Sequence, residues 1–198
     1  KKYTGSSTQN IYSSLQGMSN KPTNITSSFR GKGVACLYVR LEYDQNVFQS
    51  GIPLITAVVK GKKIYDPRKD STSSAYVSSL GQSSQRKDDD ATWTYSANAA
   101  LVMRDYLVSS QGVSTDTSQV DDTMIGIAAN DCASVGVSGS QDNTFEVNGS
   151  VSTGKSKKQN LNDISKCMNG TLFWAQGKFR LVAGAYHAPT ITEAFTLD

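Results

Sequence analysis

Residues 145–186 leave the fold the least freedom, because three local signals follow one another there without a break. Phe145-Glu-Val-Asn-Gly-Ser-Val151 reads as a polar strand. Ser156 and Gln159 then fit the S/T-x-x-E/Q capping box, whose two side chains satisfy orphan amides at a helix start. Leu161, Ile164 and Met168 recur on one face of that helix, and Gly170 stands where a helix-ending glycine belongs. Next come two apolar runs, one with Leu172, Phe173 and Trp174, the other with Phe179, Leu181 and Val182. They flank Gln176-Gly177, which predicts a hairpin packed on the preceding helix with Trp174 inside.

Upstream the signals are less continuous. Residues 1–32 are polar and aperiodic, which predicts loop with one short helical turn around Ile11 to Leu15. Leu37, Val39, Leu41 and Tyr43 alternate with polar neighbours, the pattern of a half-buried strand. A ribbon is expected from 55–59 and 63–65 about Lys60-Gly61-Lys62, ended by Asp66-Pro67-Arg68. Residues 69–91 are polar and predict a mostly exposed loop or insertion. Ser96 offers an N-cap for a helix over 97–108, with Leu101, Met103, Tyr106 and Leu107 buried and Gly112 as the stop. A further helix is expected from Asp116, with Gln119 as box partner and Val120, Met124, Ile127, Ala128 and Val135 as its inner stripe, ended by Gly136 and Gly139. The order gives an α+β class, with antiparallel β-ribbons and small sheets and three helices packed against them. The expected organisation is a β-rich portion over 1–68, the polar segment 69–91, and an α+β portion over 92–198.

Composition bounds the function. Hydrophobic residues make up 37% of 198 positions, enough for one generous domain or two small ones. The net charge is +3, and the densest basic cluster, Lys155, Lys157 and Lys158, reads as a solvated helix edge rather than a nucleic-acid arm. Cys36, Cys132 and Cys167 have neither disulfide-framework nor zinc spacing and are expected to pack as small hydrophobes. No run approaches the roughly 20 apolar residues that span a bilayer, and residues 1–32 hold no signal-peptide core. The ends, Lys1-Lys2 and Thr196-Leu-Asp198, suggest a piece of a longer polypeptide.

One motif points to chemistry. Gly149-Ser-Val-Ser-Thr-Gly154-Lys155-Ser156 satisfies GxxxxGK[ST], in which backbone amides and the lysine hold phosphates and the hydroxyl holds magnesium. A phosphate loop using Gly149, Gly154, Lys155 and Ser156 is therefore the alternative reading. Against it, too few residues follow for a nucleotide-binding sheet, no apolar strand ends in a magnesium-binding Asp, and Ser156 already caps a helix. His187 is the single histidine and no GxSxG elbow occurs, so a serine triad has little to draw on. Asp88, Asp89 and Asp90 read as a loop charge run, and Asp121 and Asp122 as the polar first turn of a helix. Asn24, Asn148 and Asn169 head glycosylation sequons. Trp93, Trp174 and Tyr186 could stack on a sugar, which would make the chain an adhesin. No catalytic residue, metal or cofactor is assigned.

Four segments taken together carry a resemblance: Gly33-Val-Ala-Cys-Leu-Tyr-Val-Arg-Leu-Glu-Tyr-Asp44, the stretch 51–68 ending Tyr65-Asp-Pro-Arg68, Ser96-Ala-Asn-Ala-Ala-Leu-Val-Met-Arg-Asp-Tyr-Leu107, and 160–186 with Asn169-Gly-Thr-Leu172 and Gly177-Lys-Phe-Arg-Leu181. In this order they resemble the tip attachment or host-specificity proteins of long, non-contractile (lambda-like) phage tails, relatives of the central hub proteins of contractile baseplates. The resemblance runs from residue 30 to the end, with 69–91 longer than usual. It implies hub-type domains, a homotrimer at the distal end of the tail tube, and contacts with other tail proteins. It also implies DNA passing through the lumen without specific binding, and host contact through C-terminal regions beyond this piece. It brings no catalytic residues. A closed ring needs a heterologous interface, for which Phe29, Phe48 and Trp93 are candidates.

Overall fold

The computed structural model describes residues 2–6, 8–11, 13–19, 21, 23, 25–42, 44, 46, 48, 51–80, 83–133 and 144–185. They belong to two compact units, Lys1–Ala57 and Val58–Asp198. The class is α+β, with two-stranded antiparallel sheets and helices.

In the first unit β1 (Lys2–Tyr3) pairs with β2 (Cys36–Leu37), Lys2 opposite Leu37 and Tyr3 opposite Cys36, and α1 (Ser13–Gln16) supplies the single turn expected of the loop-rich start. Gln9 holds this start together. It accepts from the Gly5 amide at 2.8 Å and donates to the Gly31 carbonyl at 3.4 Å. The strand expected to run on to Tyr43 stops at Leu37, and Val39 and Leu41 are exposed. Tyr43 lies outside the described residues. Alternation marks a face that would be buried in a sheet; it cannot supply the neighbouring strand whose amides and carbonyls close the ladder.

The same correction applies to the expected ribbon. Residues 51–62 form no strand, and β3 (Lys63–Ile64) pairs instead with the distant β4 (Thr94–Tyr95). Segment 69–91 is irregular, as its composition predicts, but it is not simply exposed. Asp70, Ala75 and Gln85 are buried, and two 3-10 turns, Pro67–Lys69 and Ser78–Leu80, precede a third at Asp90–Thr92.

The core of the second unit gathers on α2 (Ala99–Val108), which packs on α3 (Asp122–Cys132) and α4 (Lys157–Cys167). Leu101, Met103, Tyr106 and Leu107 are buried as expected. The cap is Asn98, not Ser96: Asn98 Oδ1 accepts from the amides of Ala100 and Leu101, while Ser96 Oγ accepts from the Asn98 amide. Asp116 caps only a 3-10 turn, Thr117–Gln119, and α3 opens five residues later on Asp121. Its inner stripe is Ile125, Ala128, Ala129 and Cys132, with Ile127 exposed. Val135, Gly136 and Gly139 lie outside the described residues.

The last three elements follow the sequence closely. The expected strand before α4 is reduced to one bridge, Glu146 with Asn98. Ser156 Oγ accepts from the Gln159 amide at 3.2 Å, and Ile164 and Met168 are buried. The left-handed residue after the helix is Asn169 (φ 47°) rather than Gly170. β5 (Thr171–Ala175) and β6 (Lys178–Val182) pair from Thr171 opposite Val182 to Ala175 opposite Lys178. Gln176 (φ 53°) and Gly177 (φ 74°) both take the positive φ that a two-residue type I′ turn demands. Leu181 is fully buried, whereas Trp174, expected inside, is 52% exposed and meets Phe179 edge-on at 4.7 Å. Ser156→Ala is expected to cost about 1 kcal/mol, the usual worth of an N-cap. Urea melts of the two proteins check it, and no loss would mean the cap is idle.

Candidate functional site

Several buried charged side chains of the second unit gather about the Tyr65-Asp-Pro-Arg68 turn. Asp66 caps the Pro67–Lys69 turn through the Arg68 amide and also accepts both arms of the Arg68 guanidinium, at 2.9 and 2.8 Å. Arg68 Nη1 reaches Asn130 Oδ1 at 3.0 Å, which ties the turn to α3. Gln85 accepts from the Asp66 amide and donates to Thr94 Oγ1, so the polar segment is anchored to β4. Beside this lies Arg104, only 2% exposed in the middle of α2. It donates to both oxygens of Asp122, at 2.6 and 3.1 Å, and its guanidinium lies 4.5 Å over the Tyr65 ring.

The Tyr65 hydroxyl donates to Asp70 Oδ2 at 2.8 Å. Burial first, then this bond and the charge of Asp70, push the phenol well above its ordinary value. Burial also acts to raise Asp70. Hydrogen bonds from the Thr72 side chain and amide and from Tyr65, with the Arg86 charge at 3.2 Å, outweigh it and hold the carboxyl below its usual range. A carboxyl lowered on folding stabilises the fold above its unfolded value, and that contribution is lost as pH falls through the folded value. Asp70→Asn should therefore weaken the fold at neutral pH, with the gap to wild type closing below about pH 4. Urea midpoints across that range check it, and a gap that widens on acidification contradicts it.

A cleft of about 240 Å³ opens beside this network, lined by Tyr65, Asp70, Ser73, Arg86, Lys87 and Asp122. Several of its charges are paired: Arg86 with Asp70, Lys87 with Asp122 at 3.9 Å, and Asp122 with Arg104 behind it, while Asp88 also lines the cleft. A phenol pushed upward stays protonated at neutral pH, and a lowered carboxyl is a poor base. Burial likewise pushes the Cys132 thiol up to about 11, so it packs as a small hydrophobe; Cys36 is half-buried and Cys167 exposed. Such an arrangement fixes these groups in position.

A second cleft, of about 380 Å³, is lined by Lys62, Asp105, Gly112 and the loop residues Val151, Ser152 and Thr153, but by none of Gly149, Gly154, Lys155 and Ser156. A phosphate cradle needs consecutive amides free to face one anion. Here the Gly154 amide donates to Ser152 Oγ and the Lys155 amide to the Ser152 carbonyl. Lys155 Nζ pairs with Asp163 at 3.0 Å, and Ser156 Oγ is taken by the Gln159 amide. The hydrogen bond from Lys155, and then its charge, hold the Asp163 carboxyl below its ordinary range. Gly149 lies in the same exposed loop, and no side-chain or backbone atom stands within 4 Å of where its Cβ would be.

The other sequence candidates do not converge. Asp89 caps the Asp90–Thr92 turn, Asp121 caps α3, and Asp122 serves Arg104. Trp93 donates its indole N–H to the Arg86 carbonyl and tilts against Tyr65. Phe29 and Phe48 are half-buried. Asn24, Tyr186 and His187 lie outside the described residues. Among the described residues no three His, Cys, Asp or Glu side chains gather as a metal site, and no helix is long and apolar enough to cross a membrane.

What does stand out is apolar exposure. Ile52 is 82% exposed, Leu54 92% and Val59 69%, and Val58 is fully exposed. Singly exposed aliphatics are ordinary, whereas here several fall close together along residues 51–62, which form no strand. The ribbon expected from 55–59 and 63–65 would have paired part of this stretch, and that pairing is not formed. No protein family, curated protein or solved structure matches the chain.

Proposed function

We propose that the chain is a structural virion protein of a phage tail tip: a hub subunit that closes the distal end of the tail tube and takes part in host attachment and DNA ejection. In this reading it works as a homotrimer among other tail proteins, and DNA crosses its lumen without specific contacts. The observation that carries it is the exposed apolar run 52–59, whose surface asks for a protein partner. Two features support it. Tyr65-Asp-Pro-Arg68 and Arg104-Asp-Tyr-Leu107, which carry the resemblance, meet in one buried framework that braces the fold. The chemistry-bearing groups of that framework are spent on each other, as suits a scaffold whose work is contact. Sedimentation of the purified chain and of a Leu54→Asp/Val58→Asp variant tests the association. Trimers for the first and monomers with an unshifted melt for the second are expected. A wild-type chain that stays monomeric at any attainable concentration would refute the trimer, and a map of tail tips lacking this chain would refute the placement.

A further inference from the structure

The sequons at Asn148 and Asn169 both contain an Asn-Gly pair, and the structure treats the two pairs oppositely. Such a pair is open to one reaction. The glycine nitrogen attacks the asparagine Cγ and gives up its proton. The new N–C bond closes a succinimide, and the side-chain nitrogen leaves as ammonia. Water then opens the ring at either carbonyl, giving aspartate or isoaspartate. The step needs a glycine nitrogen not held by a hydrogen bond, a backbone free to rotate into the ring geometry, and no Cβ in the way.

At residue 169 those conditions fail. Asn169 is fixed in the left-handed region (φ 47°) as the turn that ends α4. The Gly170 amide donates to the Ser165 carbonyl at 3.0 Å. A Cβ at residue 170 would fall 2.6 Å from the Val182 carbonyl, so helix end and hairpin enclose the pair. Ring closure there requires the helix end to open first.

At residue 148 they are met. Asn148 and Gly149 are both exposed, in a loop between the Glu146 bridge and the cap of α4. The Gly149 amide makes no hydrogen bond among the described residues, and space around its Cα is open. One exposed contact restrains the asparagine, Nδ2 donating to Glu146 Oε2 at 2.8 Å.

We infer that Asn148 is a spontaneous modification site, converted to aspartate and isoaspartate with water as the co-reactant, while Asn169 is protected by the fold. The consequence is local. The product sets a carboxylate two residues from Glu146, and isoaspartate adds a methylene to the main chain directly after Val147. The Val147 amide donates to the Ala97 carbonyl at 2.8 Å, so the change abuts the start of α2.

Folded protein aged at mildly alkaline pH provides the test. Cleavage after Glu146 and Lys155 places Asn148 on peptide 147–155, and tryptic cleavage places Asn169 on 167–178. The first peptide should gain the mass of an amide-to-acid change and accept a methyl group from an isoaspartate methyltransferase. The second should stay intact until denaturant opens the helix end, after which both convert. Gly149→Ala, which fits the open space, should abolish conversion at 148 without moving the melting temperature. Conversion of Asn169 in the folded chain as fast as Asn148 would overturn the inference. So would an intact 147–155 peptide when a denatured control converts there, or an unchanged rate in the alanine variant.

Discussion

Asp122→Ala is expected to cost about 3–5 kcal/mol, the range for breaking a buried pair by removing one partner. The loss falls hardest on this side of the pair because of what remains. Arg104 is 2% exposed, so without Asp122 a buried guanidinium loses the carboxylate that accepts two of its hydrogen bonds. The reverse change, Arg104→Met, leaves a carboxylate that is 13% exposed and still has Lys87 at 3.9 Å. Its cost should lie at the lower end of the same range. The double variant Arg104→Met/Asp122→Leu removes both charges and should recover most of the loss, since a well-packed apolar pair often replaces a buried ion pair at little cost. Guanidinium melts of wild type, Arg104→Met, Asp122→Leu and the double variant complete the cycle. Additive losses would show that the pair is not coupled.

How much of this was legible beforehand depends on how local the cause was. Ser156 and Gln176-Gly177 act within four residues of themselves, and α4 and the hairpin come out where the sequence puts them. The strand expected over 37–43 depends on a partner that its alternation cannot name, and the ribbon expected between 55–59 and 63–65 fails because Lys63–Ile64 pairs with the distant Thr94–Tyr95. The inner stripe expected for α3 holds at Val120 and Ala128, which are buried, and fails at Ile127, which is exposed. Val120, Met124, Ile127 and Ala128 fit helical spacing as well as Ile125, Ala128, Ala129 and Cys132 do. The second set wins because its small residues let α3 approach Ala99 and Ala100 of α2, and small residues carry little hydropathy signal. The polar framework was hidden because composition counts Asp70, Gln85 and Arg104 as surface, whereas pairing lets them be buried. One signal was available: Leu101, Arg104 and Leu107 recur at spacing three, which puts the arginine on the inner face.

Asn98→Ala should cost about 2–3 kcal/mol, the sum of two separable losses. The first is the cap: Asn98 Oδ1 serves the amides of both Ala100 and Leu101, worth about 1 kcal/mol or somewhat more. The second is a tie between helices, since Asn98 Nδ2, fully buried, donates to the Ala129 carbonyl at 2.9 Å. That carbonyl also accepts from the Ala133 amide, so it is not orphaned and this loss stays near 1 kcal/mol. Asn98→Asp divides the two. A carboxylate caps α2 as well as the amide and suits the positive end of the helix. It cannot donate to Ala129, however, and sets a negative charge against a carbonyl oxygen in a buried site. The aspartate variant should therefore be no more stable than the alanine variant at neutral pH and should gain on it as acid protonates the carboxyl. Urea midpoints of the two variants through the carboxylate range decide this. An aspartate variant as stable as wild type at neutral pH would mean that the cap alone accounts for Asn98 and that the bond to α3 adds nothing.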